Sequence, residues 1–196
     1  MKGNKILPTL FKKGDVTMTA TGLTNETWKI KLFMRQDVSV EDKKCIDLLW
    51  VYDFTFIRDR LLEEGMLPEQ IIDQSILEYR KFMTLLRLGY PQLAMFSREV
   101  DEVWHTHILF TQNYTKFCDR VFGKFVHHTP VSRSTAIESV NNSVETFLIT
   151  YTDVFGEPSP LWKLQKPTGV ALCIPTREIC YPTQSLKGSV SNPVML

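Results

Sequence analysis

The sequence predicts a mainly α-helical fold: a single helical-bundle domain of about five helices, with a small β-hairpin or extended arms at the termini. Apolar residues recur at helical spacing through most of residues 38–162, and helix-capping and helix-ending residues flank these runs. A chain of 196 residues with 43% hydrophobic content fits one domain with a core that needs no disulfides. We therefore divide it into an N-terminal arm (1–37), a helical domain (38–162) and an extended C-terminal arm (163–196).

The N-terminal arm contains two segments with the alternating pattern of half-buried strands. These are residues 16–21 (VTMTAT) and 28–33 (WKIKLF), separated by residues 22–26. Alternation with a period of two residues places successive side chains on opposite faces of a strand. The pattern predicts a β-hairpin in this arm.

The helical domain begins at Ser39, a good N-cap, and its first helix is predicted to extend to Gly65. Asp53 falls on the apolar stripe of that helix, where a carboxylate needs a partner or a raised pKa. The alternative is a helix rotated so that Asp53 lies at the edge of the stripe. Pro68 suits the start of the second helix, and Gly89 its end.

Ser97 caps the third helix, and the stretch that follows is one helix or two, because residues 111–113 (TQN) offer a second cap. Gly123 ends this run. Residues 124–130 are predicted to form a loop, and a last helix is predicted to begin at Ser134 and end near residue 155.

All four histidines of the protein lie within residues 97–130. They are His105, His107, His127 and His128. Such clustering indicates either a binding site or a set of core histidines that satisfy buried polar groups. Residues on a helix advance by about 100° each, so His105 and His107 lie about 200° apart and cannot bind one metal together on a regular helix.

A metal site can nevertheless be built from two segments. One ligand is His105 or His107, another is His127 or His128 from the predicted loop, and Asp101 or Cys118 completes the set. Asp101 precedes His105 by one helical turn, the usual arrangement in which a carboxylate orients an imidazole. Imidazoles with a carboxylate or thiolate favour Zn2+.

Two further residues are predicted to surround these ligands, together with Asp101. They are Trp104 and Tyr114, for which plain core packing is the alternative. The sequence contains no GxSxG motif, no phosphate-binding glycine loop and no dinucleotide fingerprint. Whether the protein is an enzyme therefore stays open at this point.

Two functions remain as hypotheses. The first is a histidine-rich, zinc-like metal site, which would make the protein a metal-dependent hydrolase. The second is a metal-free helical module for protein–protein interaction, in which the histidines are structural and the arms bind an unidentified protein partner. Chelators would affect the first and leave the second unchanged.

The composition argues against several classes of partner. A net charge of +1 gives no general attraction to nucleic acid or membranes. No run approaches the roughly 18 apolar residues of a membrane span, and residues 1–15 lack the apolar core of a signal peptide. We expect a cytoplasmic protein with reduced thiols. Cys173 and Cys180 are then ordinary thiols, with a closed loop or a metal clip as the alternative.

The residues VDxxWHxHxL, at positions 100–109, resemble a motif of the glycine-rich domain-containing protein-like family, a domain of unknown function. The resemblance extends over residues 78–162 and includes EYRKFMTLL, HHTP and TDVFGEPSPLW. It implies a mostly helical domain but no catalytic residue or cofactor. Plant members add a glycine-rich tail and sometimes an RNA-recognition module. This chain has nine glycines and no such module, so RNA binding does not follow.

Overall fold

The computed structural model describes residues 27–130, 137–162 and 180–184. The helices are α1 (Thr27–Met34), α2 (Val40–Trp50), α3 (Thr55–Glu63), α4 (Glu69–Arg87), α5 (Arg98–Leu109), α6 (Thr111–Phe122) and α7 (Ile137–Phe155). Two strands, β1 (Val126–Pro130) and β2 (Cys180–Gln184), and a 3-10 helix (Pro160–Trp162) complete the described elements. The predicted mainly α class is confirmed.

Helix α4 lies at the centre of the bundle and contacts α2, α3, α5 and α7. The apolar residues that recur at helical spacing in this segment are buried; they are Ile72, Ile76, Tyr79, Met83 and Leu86. Because α4 is surrounded on several sides, its stripe is wider than that of a surface helix. None of the helices in the described ranges combines the length and the apolar character needed to cross a bilayer.

The strand predicted at residues 28–33 is wrong, because these residues form helix α1. Trp28 and Leu32 are buried while Ile30 is exposed. Their spacing fits the i, i+4 face of a helix as well as the alternation of a strand, and a short apolar run does not distinguish the two. The partner strand predicted at residues 16–21 lies outside the described residues.

The single helix predicted from Ser39 to Gly65 is also wrong. Ser39 does cap α2, but that helix ends at Trp50 and α3 begins at Thr55. Asp53 lies in the break, where it is exposed and accepts hydrogen bonds from the Thr55 backbone N–H (2.9 Å) and hydroxyl (2.6 Å). These hydrogen bonds lower the pKa of Asp53. The carboxylate therefore supports the start of α3 and does not lie on a buried stripe.

Arg80 on α4 stabilises this break. Its guanidinium donates to the carbonyl oxygens of Leu49 (2.7 Å), Trp50 (3.1 Å) and Tyr52 (2.7 Å), at and just beyond the carboxyl end of α2. Burial lowers the pKa of Arg80. A cation at the carboxyl end of a helix also interacts favourably with the helix dipole.

The central stretch consists of two helices that meet at Phe110. The Ser97 hydroxyl accepts from the Val100 backbone N–H (3.4 Å) at the start of α5, as its capping position predicts. Gly123 ends α6 with φ +67°, a backbone conformation that favours glycine. The last helix ends at Phe155, and its predicted start at Ser134 lies outside the described residues.

The loop predicted at residues 124–130 is wrong over most of its length, because β1 occupies residues 126–130. It pairs in antiparallel register with β2, so that His128 lies opposite Pro182 and Pro130 opposite Cys180. A strand of five residues whose partner is distant in the chain has little local signal, because pairing rather than propensity stabilises it. Cys173 lies outside the described residues, so the two alternatives for the Cys173–Cys180 pair remain predictions.

A buried carboxylate on α4 connects this helix to α7 and to the 3-10 helix. Glu78 is fully buried, and its Oε1 accepts from Lys81 Nζ (2.9 Å) and Gln74 Nε2 (2.9 Å). Its Oε2 accepts from the Tyr151 hydroxyl (2.6 Å) and from Trp162 Nε1 (2.7 Å). Four donors compensate for the loss of hydration of the carboxylate. Through them Glu78 holds α7 and the 3-10 helix against α4.

Replacing Glu78 with alanine should be strongly destabilising, because it removes the carboxylate that pairs with the Lys81 ammonium and accepts from the buried Tyr151 and Trp162 donors. We expect Glu78→Ala to lower the free energy of unfolding by about 3 to 5 kcal/mol and the melting temperature by roughly 10 °C, measured by urea and thermal denaturation. The control Glu63→Ala removes an exposed carboxylate and should change stability by less than about 0.5 kcal/mol. Equal effects of the two variants would contradict a structural role for Glu78.

Candidate metal centre

Three of the candidate ligands converge between α5 and β1. His128 Nε2 lies 2.7 Å from Asp101 Oδ1, and His105 Nε2 lies 3.7 Å from Asp101 Oδ2. The centroids of the two imidazole rings are 4.5 Å apart. One ligand atom from each residue fits within 4.8 Å of the other two. We call Asp101, His105 and His128 the Asp–His cluster.

The local structure explains how the cluster forms. Asp101 and His105 are one turn apart on α5, so their side chains lie on the same face of the helix. Strand β1 turns His128 and Val126 toward the protein, because alternate residues of a strand face the same side. A helix and a strand, which are both rigid elements, therefore supply the cluster.

The cluster is buried on one side and open on the other. The side chains of Asp101 and His128 are 11% and 6% exposed, whereas that of His105 is 49% exposed. The hydrogen bond to Asp101 orients the imidazole of His128. Solvent or a small molecule therefore reaches the cluster from the His105 side.

The atomic separations are close to those around a metal ion. Ligands bound tetrahedrally at about 2.0 to 2.1 Å lie about 3.3 Å from one another. The separation between Asp101 and His105 is slightly longer than this, and that between Asp101 and His128 is shorter, at a hydrogen-bonding distance. A bound metal would take the place of the hydrogen bond between Asp101 and His128, with both side chains as ligands.

His107 lies apart from the cluster and is fully buried in the core. Its Nδ1 is 3.0 Å from the Tyr79 hydroxyl, and its Nε2 has no hydrogen-bond partner among the described residues. Burial lowers the pKa of His107 to about 3, so the ring is neutral at physiological pH. The rings that contact it belong to Tyr52, Phe54, Phe56, Tyr79, Tyr114 and Phe117.

Cys118 and His127 also lie outside the cluster. Cys118 is buried on α6, and burial raises the pKa of its thiol, which keeps it protonated. His127 is exposed, and its ring packs against Phe125 with 4.8 Å between the centroids. Because neighbouring residues of a strand point to opposite faces, His127 faces away from His128. Of the six candidates to hold a metal, the structure brings together only Asp101, His105 and His128.

The two aromatic residues predicted near the ligands are both buried, and Trp104 contacts the cluster directly. The indole of Trp104 packs edge-on against the His128 ring, with 4.3 Å between the centroids. Tyr114 lies on α6, and its ring packs against His107 at 5.0 Å. Trp104 thus packs against the cluster on its protein side, and Tyr114 is connected to the cluster through its hydrogen bond with Trp104.

A surface cavity of about 380 Å3 lies elsewhere, between α2, α3 and α6. Its walls are formed by Leu48, Val51, Tyr52, Asp53, Phe56, Asn113, Arg120 and Val121. None of these residues belongs to the Asp–His cluster, and the Asp53 carboxylate is already engaged by Thr55. The surface cavity and the Asp–His cluster thus lie in different parts of the protein. The convergence of ligand atoms is the more specific evidence for a binding site.

A family model described as UCP032817-like, which represents an uncharacterised family, matches residues 55–151. The matched range includes all three residues of the Asp–His cluster, and it indicates no activity. The comparisons with curated proteins and with solved structures gave no match. The resemblance of residues 100–109 to the glycine-rich domain-containing family stays a prediction.

The buried neutral state of His107 predicts a dependence of stability on pH. The unfolded chain binds a proton at His107 near pH 6.5, whereas the folded protein resists it down to about pH 3. Stability should therefore fall as the pH drops through this window, by about 2 to 3 kcal/mol between pH 7.5 and 4.5 from this group alone. Urea denaturation at the two pH values measures the loss.

The matched variants for this test are His107→Phe and His127→Gln. The first should reduce the difference in stability between pH 7.5 and 4.5 by that amount, whatever its effect on absolute stability. The second removes an exposed histidine and should leave the difference unchanged. An unaltered pH dependence in His107→Phe would show that His107 does not resist protonation.

Proposed function

We propose that Asp101, His105 and His128 bind a divalent transition metal, with Zn2+ as the first candidate. The observation that carries this proposal is the convergence of two imidazoles and one carboxylate, all within 4.8 Å, from α5 and β1. Imidazole nitrogens and a carboxylate oxygen are common zinc ligands. The same set also suits iron(II), which binds two histidines and one carboxylate in many proteins.

The exposure of the cluster suggests the chemistry that such a metal would support. Structural zinc sites usually have four protein ligands, whereas catalytic sites have three and leave one position for water. The Asp–His cluster supplies three ligands and is open at His105. Zinc lowers the pKa of a bound water to about 7, which generates a nucleophile at neutral pH. The proposed activity is therefore metal-dependent hydrolysis.

Metal content tests the proposal directly. Protein purified without a histidine tag and equilibrated with zinc, then passed through a desalting column, should contain about one equivalent per chain by elemental analysis. Asp101→Asn, His105→Gln and His128→Gln should each reduce this content several-fold, because each removes one of three ligands.

His127→Gln is the matched control, because it removes the neighbouring imidazole, which faces away from the cluster. It should retain the metal content of the unmodified protein. Less than roughly a tenth of an equivalent of any transition metal in the unmodified protein would refute the proposal. Equal losses in His127→Gln and His128→Gln would refute the assignment of the ligands.

A second candidate function is a metal-free interaction module. It is supported by the 2.7 Å hydrogen bond between Asp101 and His128, which satisfies both groups without an ion. Large apolar side chains are also exposed on α1 and α7, including Ile30, Met34 and Ile149. Such side chains are found at surfaces that contact other proteins, although single ones are common on any surface.

Thermal denaturation with and without a chelator distinguishes the two functions. If a metal is bound, removing it should lower the melting temperature by several degrees, because a ligand specific for the folded state stabilises it. The metal-free module predicts no change with chelator. It also predicts that Asp101→Ala lowers the melting temperature equally in the presence and absence of zinc, through the loss of the hydrogen bond to His128.

A further inference from the structure

The position of His128 depends on strand β1, and a buried hydrogen-bonded chain holds that strand. Trp104 Nε1 donates to the Tyr114 hydroxyl oxygen at 3.0 Å. The Tyr114 hydroxyl in turn donates to the backbone carbonyl of Val126 at 2.5 Å. Trp104, Tyr114 and Val126 are each at most 1% exposed. The chain thus runs from α5 through α6 to β1 in the interior of the protein.

This chain reaches the Asp–His cluster from two directions. The ring of Trp104 contacts the imidazole of His128 directly. Its indole N–H, acting through Tyr114, fixes the carbonyl of Val126, two residues before His128 in the same strand. Residues two apart in a strand face the same side. The position at which Val126 is held against the interior therefore also determines how close the His128 side chain comes to α5.

We propose that Tyr114 is a positioning residue for the Asp–His cluster, which through its hydroxyl holds β1 so that His128 reaches Asp101. This inference rests on the proposed function for its effect on metal binding, but the geometry of His128 does not require a metal. The Tyr114 hydroxyl is hydrogen-bonded to Trp104 and Val126, and it acts on His128 through the backbone of β1.

The hydroxyl of Tyr114 is suited to this role. Burial raises the pKa of Tyr114 well above its ordinary value, so the group remains protonated and keeps its proton for the Val126 carbonyl. Leaving the Val126 carbonyl without a donor would destabilise the folded protein, since this buried carbonyl has no access to water. Removing the hydroxyl should therefore let β1 shift toward another partner for that carbonyl.

The test compares Tyr114→Phe with Tyr79→Phe. Both variants remove one hydroxyl from a buried tyrosine whose ring contacts His107. The Tyr79 hydroxyl is hydrogen-bonded to His107 and not to β1, so Tyr79→Phe reproduces the loss of a buried hydrogen bond without releasing the strand. Differences between the variants therefore report on the position of His128.

The first measurement is the affinity for Zn2+, by competition with a chromophoric chelator. Tyr114→Phe should weaken binding about 10-fold or more, as loss of a group that orients a ligand typically does. Tyr79→Phe should stay within about threefold of the unmodified protein. Replacing Tyr114 with 4-aminophenylalanine, which keeps an N–H donor, should restore most of the affinity and provides a folded variant if the phenylalanine variant is unstable.

The second measurement uses metal-free protein and records the imidazole resonances of the histidines by NMR. Tyr114→Phe should shift the His128 signals, and Tyr79→Phe should leave them in place. Unchanged His128 signals in Tyr114→Phe would overturn the inference. The two proposals can fail separately. If the unmodified protein binds no metal but the His128 signals differ between it and Tyr114→Phe, the proposed function fails and the positioning role stands.

Discussion

The packing of α5 against α4 determines where the residues of the Asp–His cluster lie. It buries one face of α5, including Val100, Val103, Trp104 and His107. A helix has a fixed angular spacing, so burying those residues turns Asp101 and His105 toward the margin of the contact. That margin is where β1 crosses, and His128 meets them there. The two histidines of the WHxH segment consequently have opposite surroundings, although only one residue separates them.

The protein stabilises its buried polar side chains in three different ways. Glu78 stays surrounded by donors and ties distant elements together. His107 stays neutral, with one nitrogen bonded to Tyr79 and the ring enclosed by aromatic groups. Asp101 lies at the boundary, where one side of the carboxylate meets His128 and the other faces the half-exposed His105. Only the last arrangement leaves polar atoms both organised and accessible, which is what a binding site requires.

The mainly helical class, the boundaries of α4, and the caps at Ser39, Ser97 and Gly123 were predictable, because local spacing and capping chemistry determine them. The break at Asp53 was not, since it depends on Arg80, which lies far along the chain and donates to the carbonyl oxygens of Leu49 and Tyr52. The strand at residues 126–130 was not predictable either, because its partner comes from residues 180–184. These misses share a cause: tertiary partners overrode the local pattern.

The candidate site was predictable in outline, because the spacing of residues along a helix is a local property. Helical spacing relates Asp101 to His105 and separates His105 from His107, but it does not decide which of the two histidines is the ligand. The choice of His128 over His127 depends on which face of β1 turns inward, and that requires knowing that the segment is a strand. The exclusion of Cys118 follows from the place of α6 in the bundle.

The order along the chain has a consequence for how the protein acquires its native structure during synthesis. The contact between Asp101 and His128 links residues 27 positions apart, whereas the ladder pairs His128 with Pro182, 54 positions further on. Closing the shorter loop costs less entropy, and its residues leave the ribosome earlier. The nascent polypeptide can therefore bring the three side chains together before the C-terminal strand exists, and pairing with that strand then stabilises β1.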